Sequence, residues 1–149
     1  MALQATAPLT DLYEDDETAW LETMAELIAE GRSEDLDLVH LREYLSDMAI
    51  RDRREVDNRL TVLLAHLLKW MYQAEKRSGS WRKTIRLQQQ KLRRHASKGV
   101  LRRHAETALV EAYADAIQLA CDETELPPET FPDECPYTVE QLLNGNLLT

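Results

Sequence analysis

Phenylalanine occurs once in this 149-residue chain, cysteine twice, glycine four times and proline five times. Two cysteines are too few for the disulfide framework of a small secreted domain. Cys121 and Cys135 form no CxxC pattern, so a structural zinc site lacks its ligands. They fit reduced thiols, and their spacing leaves a disulfide between them open. The scarcity of glycine and proline argues against disordered and fibrous chains. There is no Gly-rich phosphate loop, no GxSxG elbow and no HExxH or ExxH pair. No apolar run is long enough for a bilayer, since the densest, Val62–Leu68, is interrupted by His66. Met1–Pro8 has neither a basic nor an apolar leader region, so a cytoplasmic location is expected. Strand-like alternation and internal repeats are also missing.

Two further absences are local. Lys76–Arg103 holds 11 Lys and Arg and no acid, whereas residues 105–149 hold 10 acids and no base. Residues 1–50 carry a net charge of −11, residues 51–104 of +12 and residues 105–149 of −10. The overall −9 therefore conceals an acid–base–acid layout.

What is present is helical periodicity. Leu60, Leu63, Leu64, Leu67, Leu68 and Met71 recur at i, i+3, i+4, i+7, i+8 and i+11, one stripe of an α-helix. The stripe is read as the central core helix, within the stretch Arg59–Trp81 and ending around Lys76–Gly79. Before it, one helix is expected from about Asp11 to Glu30, with Tyr13, Trp20, Met24, Leu27 and Ile28 facing inward and Gly31 at its end. Asp37 caps a second helix that turns Leu38, Leu41, Leu45 and Met48 inward. It either continues into the central helix or bends near Ala49–Arg53. Ser80 is read as the cap of a fourth helix, Trp81 to about Ala96, with a thin apolar face of Trp81, Ile85 and Leu92. A fifth runs from about Val100 to Glu123, and its alanines imply close approach by another helix. After Pro127, Pro128, Pro132 and Pro136, Thr138 caps a short helix, Val139–Leu143. The expectation is an all-α, compact bundle of five to six helices in a single domain, 1–149. Residues 1–9 are expected to be loose and 126–149 to form a Pro-rich arm on the surface.

Several pieces of the chain are shared with a known family: Leu12-Tyr13 with Trp20, Leu36-Asp37-Leu38 leading to Leu41 and Glu43, and Arg59-Leu60. His66-Leu67-Leu68-Lys69-Trp70, Tyr72-Gln73, Ser80-Trp81-Arg82 with Thr84-Ile85, Glu111-Ala112-Tyr113 with Ala116, Thr130-Phe131-Pro132 and Cys135-Pro136-Tyr137 complete the set. In these the chain resembles the bacterial, largely cyanobacterial family catalogued as domain of unknown function twenty-nine. Three positions depart from the family pattern. Tyr44 stands where a second acid is usual, Ala49 where a Gly is usual and Ala74 where a Pro is usual. The first weakens a carboxylate pair with Glu43; the other two favour a longer, straighter central helix. The resemblance implies an all-α fold and brings no activity, cofactor or catalytic residue with it.

Candidate chemistry is sparse. His66 borders the leucine stripe, and either a general base or metal ligand or a histidine bonded to a carboxylate or carbonyl suits that place. Asp115 falls in the inner stripe of the fifth helix, where a carboxylate needs a partner, with Arg59, Arg86 and Lys69 on offer. His66, Arg59 and Asp115 are thus candidates for a polar site or a buried ion pair. Glu43 and Asp47 suit an exposed acidic face better than a metal site. Acidic neighbours would raise the Cys121 thiol pKa, the wrong direction for a nucleophile.

The basic block is the strongest signal. Arg82, Lys83, Arg86, Arg93 and Arg94 are candidate phosphate- or partner-binding residues, with Trp81, His95 and His104 available for stacking or polar contacts. Neutralisation of the block by acidic helices or an acidic partner is the competing expectation, which the acidic pI near 4.9 favours. The reading is a small cytoplasmic helical protein without cofactor, leaning away from an enzyme. It serves as a protein–protein interaction or self-association module, with nucleic-acid binding through residues 76–103 as the alternative and no stable membrane insertion.

Overall fold

The computed structural model describes residues 8–149. Most of the expected loose start, Met1–Leu9, lies outside the described residues; Leu9 already opens a helix. The fold is all-α. Six α-helices follow in order among the described residues: α1 Leu9–Asp15, α2 Glu17–Ala29, α3 Leu38–Tyr72, α4 Gly79–Ala96, α5 Gly99–Thr124 and α6 Val139–Asn144. The chain divides at Ile50 and Arg51 into two compact units.

In the first unit, the single helix expected over Asp11–Glu30 is two. Asp16 leaves helical geometry at φ −153° and ψ 84°, and its carboxylate accepts from the Ala19 amide at 3.1 Å. A short acidic side chain gains more from capping than from a helix interior, which is why the chain breaks there. Trp20, Met24 and Leu27 are buried, and Leu12, Tyr13, Leu41 and Tyr44 pack around them. Ile28, expected inside, is 59% exposed. The i, i+4, i+7 stripe ends at Leu27, and the next residue turns about 100° away. Gly31, at φ +72°, closes α2. The Gly31 amide donates to Ile28 O at 3.0 Å and the Arg32 amide to Leu27 O at 2.9 Å, the paired bonds of a Schellman motif.

Asp37 caps α3 as its sequence position indicates, and it does more. Its carboxylate accepts from the His40 amide at 3.3 Å, from His40 Nδ1 at 2.8 Å and from Trp20 Nε1 at 3.1 Å. Tyr13 stacks on His40 at 4.3 Å and meets Trp20 edge-on at 4.7 Å. Leu38 and Leu45, expected inside, are 63% and 60% exposed. The inward face of these turns is set by Asp37, Leu41 and Tyr44, with Met48 half-buried, so Asp37 and Tyr44 take the places expected of Leu38 and Leu45.

Burial opposes the charged form of Asp37, but the three hydrogen bonds outweigh it and hold the carboxyl below its ordinary value of 3.8. A carboxyl depressed in the fold contributes stability above its unfolded pKa and loses it as pH falls through the folded one. Asp37→Asn is therefore expected to lower the stability of the wild-type chain near neutral pH. It should also flatten the acid limb of a tryptophan-fluorescence titration below about pH 4.

α3 continues unbroken from Leu38 to Tyr72, so the second and central helices are one. Ala49 lies within it, as the departure from Gly favours, whereas Ala74 follows its end. In the second unit Leu60, Leu63, Leu64, Leu67 and Leu68 are fully buried, each contributing about 1.5–3 kcal/mol relative to exposure. Met71 is 38% exposed, because the stripe outruns the elements that cover it. α4 begins earlier than expected: Ser78, not Ser80, caps it by accepting from the Trp81 amide at 3.2 Å. Ala105, Ala112, Ala116 and Ala120 of α5 are buried, and α5 contacts both α4 and α6. Thr138 and Gln141 form a capping box at the start of α6.

The C-terminal arm is a surface strap only in part: Pro127, Pro128 and Pro136 are exposed, but its apolar side chains are not. Phe131, Val139, Leu142, Leu143 and Leu147 are all buried in the second core. Tyr113 OH anchors the proline segment by donating to Pro132 O at 2.6 Å. Burial first, then the nearby Cys135 thiol, pushes the Tyr113 phenol up to about 12.

Candidate functional site

Five cations make up the candidate site, and α4 positions them. Ile85, Leu92 and Ala96 are buried on its inner side. At 3.6 residues per turn, Arg82, Lys83, Arg86, Arg93 and Arg94 fall within about 120° on the opposite side, over a length of about 18 Å. All five are exposed. Gly79, Arg82, Lys83, Arg86, Leu87 and Gln90 line a shallow open groove of about 350 Å³ along this face.

Among the described residues, none of the five forms a salt bridge. Of the block Lys76–Arg103 only Arg102 does, with Glu106 at 3.1 Å and Glu140 at 3.2 Å. Neutralisation within the second unit therefore does not account for the block. The five are not equivalent, though. Arg93 Nε donates to Leu143 O at 2.9 Å, while Gln89 Nε2 donates to Leu142 O at 3.1 Å and Gly145 O at 3.0 Å. Both residues satisfy carbonyls left without partners at the end of α6. Arg82 lies over the Trp70 ring at 5.5 Å, next to Arg77 at 4.5 Å. Lys83, Arg86 and Arg94 make no such contacts among the described residues.

The stacking groups expected beside the cations are elsewhere. Trp81 is half-buried, with Lys69 Nζ over its ring at 5.0 Å. His95 sits on the far side of the helix, and His104 Nε2 donates to Asp57 Oδ1 at 2.7 Å. The His104–Asp57 pair joins residues 47 positions apart and carries no local sequence signal.

His66, Arg59 and Asp115 hold separate environments. His66 Nδ1 donates to Val62 O at 3.0 Å, and burial, with Lys69 adding to it, lowers the ring's pKa from 6.5. This is the carbonyl-bonded alternative, a neutral imidazole. Arg59 pairs with Glu55 at 2.7 Å and donates to Gln88 Oε1 at 3.1 Å. Asp115 is exposed in a groove it shares with Asp57 and His104, so the buried ion pair does not include it. It projects from the edge of the alanine stripe, not its middle. Among the described residues the buried cation is Lys69, paired with Glu123 at 2.6 Å.

Both cysteines are free, and burial first, with Asp122 and Glu129 adding to it, raises the Cys121 thiol. No three His, Cys, Asp or Glu side chains among the described residues stand close enough to hold a metal ion. No helix among them is long and apolar enough to cross a membrane.

The family model described as Domain of unknown function DUF29 matches residues 12–148. The chain belongs to this family. The match spans α2 to α6 and so takes in both units of this DUF29 chain. Its Trp20, Asp37, Leu67, Leu68 and Tyr113, on which the resemblance rested in part, are core and capping residues. No curated protein and no solved structure matches the chain.

Proposed function

We propose that this chain is a non-enzymatic interaction module that docks the cationic face of α4 onto an acidic protein surface. The observation that supports it is five exposed cations on one face without a carboxylate partner among the described residues. Complementary charge gives such a face partner choice and association rate more than raw affinity. A second copy of the chain meets the same chemistry, because residues 1–50 and 105–149 carry −11 and −10. Nucleic-acid phosphates are the second reading, favoured by the same row of cations. Against it stand the net charge of −9 and the turning of Trp81 away from the face, which leaves no base-stacking platform there.

The test is fluorescence anisotropy with labelled poly-glutamate, duplex DNA, single-stranded DNA and RNA, each at low and physiological salt. The variant combines Lys83→Glu, Arg86→Glu and Arg94→Glu, and spares Arg93 for its bond to α6. Poly-glutamate is expected to bind at low salt and to lose about tenfold or more in affinity in the variant. Tighter binding of duplex DNA than of poly-glutamate, with a steep salt dependence lost in the variant, would move the reading to nucleic acid. Binding of neither would remove α4 as a docking face. Sedimentation of the wild-type chain alone reports whether the acidic partner is a second copy.

A further inference from the structure

α5 is apolar on two sides; the core covers one fully and the other only in part, with Leu109 and Ile117 half-buried against it. Ala105, Ala112, Ala116 and Ala120 face the core. Val110, Ala114 and Ile117, at i, i+4 and i+7, form a second stripe on another face. Val110 is 80% exposed, and Ala114 is exposed as well. Beside this stripe runs the segment Asp133–Cys135, held in place by the Tyr113–Pro132 bond of 2.6 Å. Together they enclose a groove of about 480 Å³ lying wholly within the second unit. Leu109, Tyr113 and Ile117 form its apolar part, and Asp133 and Glu134 stand on its rim.

We infer that this groove docks a short amphipathic helix of a protein partner, one with aliphatic anchors on one side and lysines or arginines flanking them. The stripe from Val110 to Ile117 spans about 10 Å, two turns of helix, which suits anchors at i, i+3 or i+4, and i+7. The rim decides the charge of the occupant. Asp133 and Glu134 are exposed, and residues 105–149 contain 10 acids and no base. Long basic side chains lay their stems on apolar surface and carry their charge outward to such carboxylates. A second copy pairing α5 against α5 would set these acidic rims against each other. The α4 helix of another copy does not fit, since its exposed face offers Leu87 alone among large apolar residues. An anionic lipid surface is repelled by the same rim. This groove is independent of the α4 face and does not rest on that reading.

The test titrates the full chain into three labelled 14-residue peptides: a Leu/Lys amphipathic helix, the same pattern with Glu for Lys, and a Lys/Ser peptide of equal charge without leucine. The Leu/Lys peptide is expected to bind and the Lys/Ser peptide to bind about tenfold more weakly or not at all, while any binding of the Glu pattern, which the α4 face would accept, should be unchanged by Val110→Glu. Val110→Glu should weaken the Leu/Lys peptide by about tenfold or more. This variant adds an acid, so general attraction for a cationic peptide would rise, and only loss of the apolar contact lowers affinity. Asp133→Lys combined with Glu134→Lys should weaken it similarly. A melting curve confirms that both variants fold, and the exposed position of each residue makes that the expectation. Leu/Lys binding that is absent, matched by the Lys/Ser peptide, or unchanged by Val110→Glu would overturn the inference. So would a wild-type dimer that Val110→Glu turns into a monomer, which would give the groove to a second copy.

Discussion

Trp20→Ala is expected to unfold α2 and the first turns of α3 while the leucine core of the second unit keeps its structure. A buried tryptophan truncated to alanine costs about 3–5 kcal/mol. The first unit has little to set against that loss, because its buried core among the described residues is three side chains, Trp20, Met24 and Leu27. A unit this small buries a smaller share of its surface than a full-sized domain and is correspondingly marginal. The loss is also chemical. Without the indole, Asp37 keeps His40 as a partner but loses the donor at 3.1 Å, and Tyr13 and Tyr44 lose the ring between them. Peptide-resolved hydrogen exchange checks this. Amides of Glu17–Ala29 should lose protection in the variant, and those of Leu60–Leu68 should retain it. Trp20→Phe, which keeps a ring and drops the donor, should fall between. Unchanged protection of α2 in Trp20→Ala would show that the first unit is held by something other than this cluster.

The helices were legible where one physical rule acts alone. The leucine stripe from Leu60 to Leu68 is buried as its spacing requires, and Gly31 ends α2 because no other residue takes a left-handed angle so readily. Legibility failed where two local preferences competed. Asp16 reads equally as a first-turn acid and as a cap, and only the seating of Trp20 against Tyr13 and Tyr44 decides. Ser78 and Ser80 are both competent caps two residues apart. Leu38 and Leu45 make a plausible inner face together with Leu41, but the Asp37–Trp20 bond sets the rotation of α3 and turns them out. The cationic face was legible as charge. Its division of labour was not, since nothing in the local sequence shows that Arg93 is tied to Leu143, 50 residues away. Likewise Asp115 sits near the alanine stripe on a helical wheel. Whether a residue at a stripe's edge is covered depends on how far the neighbouring helix reaches across. The second stripe of α5 was present in the sequence as Val110, Ala114 and Ile117, masked because a helix apolar on two sides reads as deeply buried.

The arm after Thr124 gives the second large effect. Four prolines and ten acids over the last third of the chain suggest a solvated strap, and on that view alanine at Leu142 or Leu143 changes stability by less than about 0.5 kcal/mol. The structure requires otherwise. Both side chains are fully buried beside Val139, and both of their carbonyls are bonded by α4, to Gln89 and Arg93. Proline here sits at the surface, with Pro127, Pro128 and Pro136 exposed, but does not make the whole arm solvated. It fixes an extended path that returns α6 to the core, with the Thr138 capping box starting the helix where the path ends. Leu142→Ala and Leu143→Ala are each expected to cost about 2–5 kcal/mol, because each removes packed methyls and leaves a cavity. With a urea dependence of about 2 kcal/mol per molar, the unfolding midpoint should fall by about 1–2.5 M. Leu87→Ala, at a partly exposed position on α4, should shift the midpoint far less and serves as the reference. If all three variants melt together with the wild type, α6 is not part of the core. If the two arm variants alone collapse, the second unit folds only when its last helix is in place.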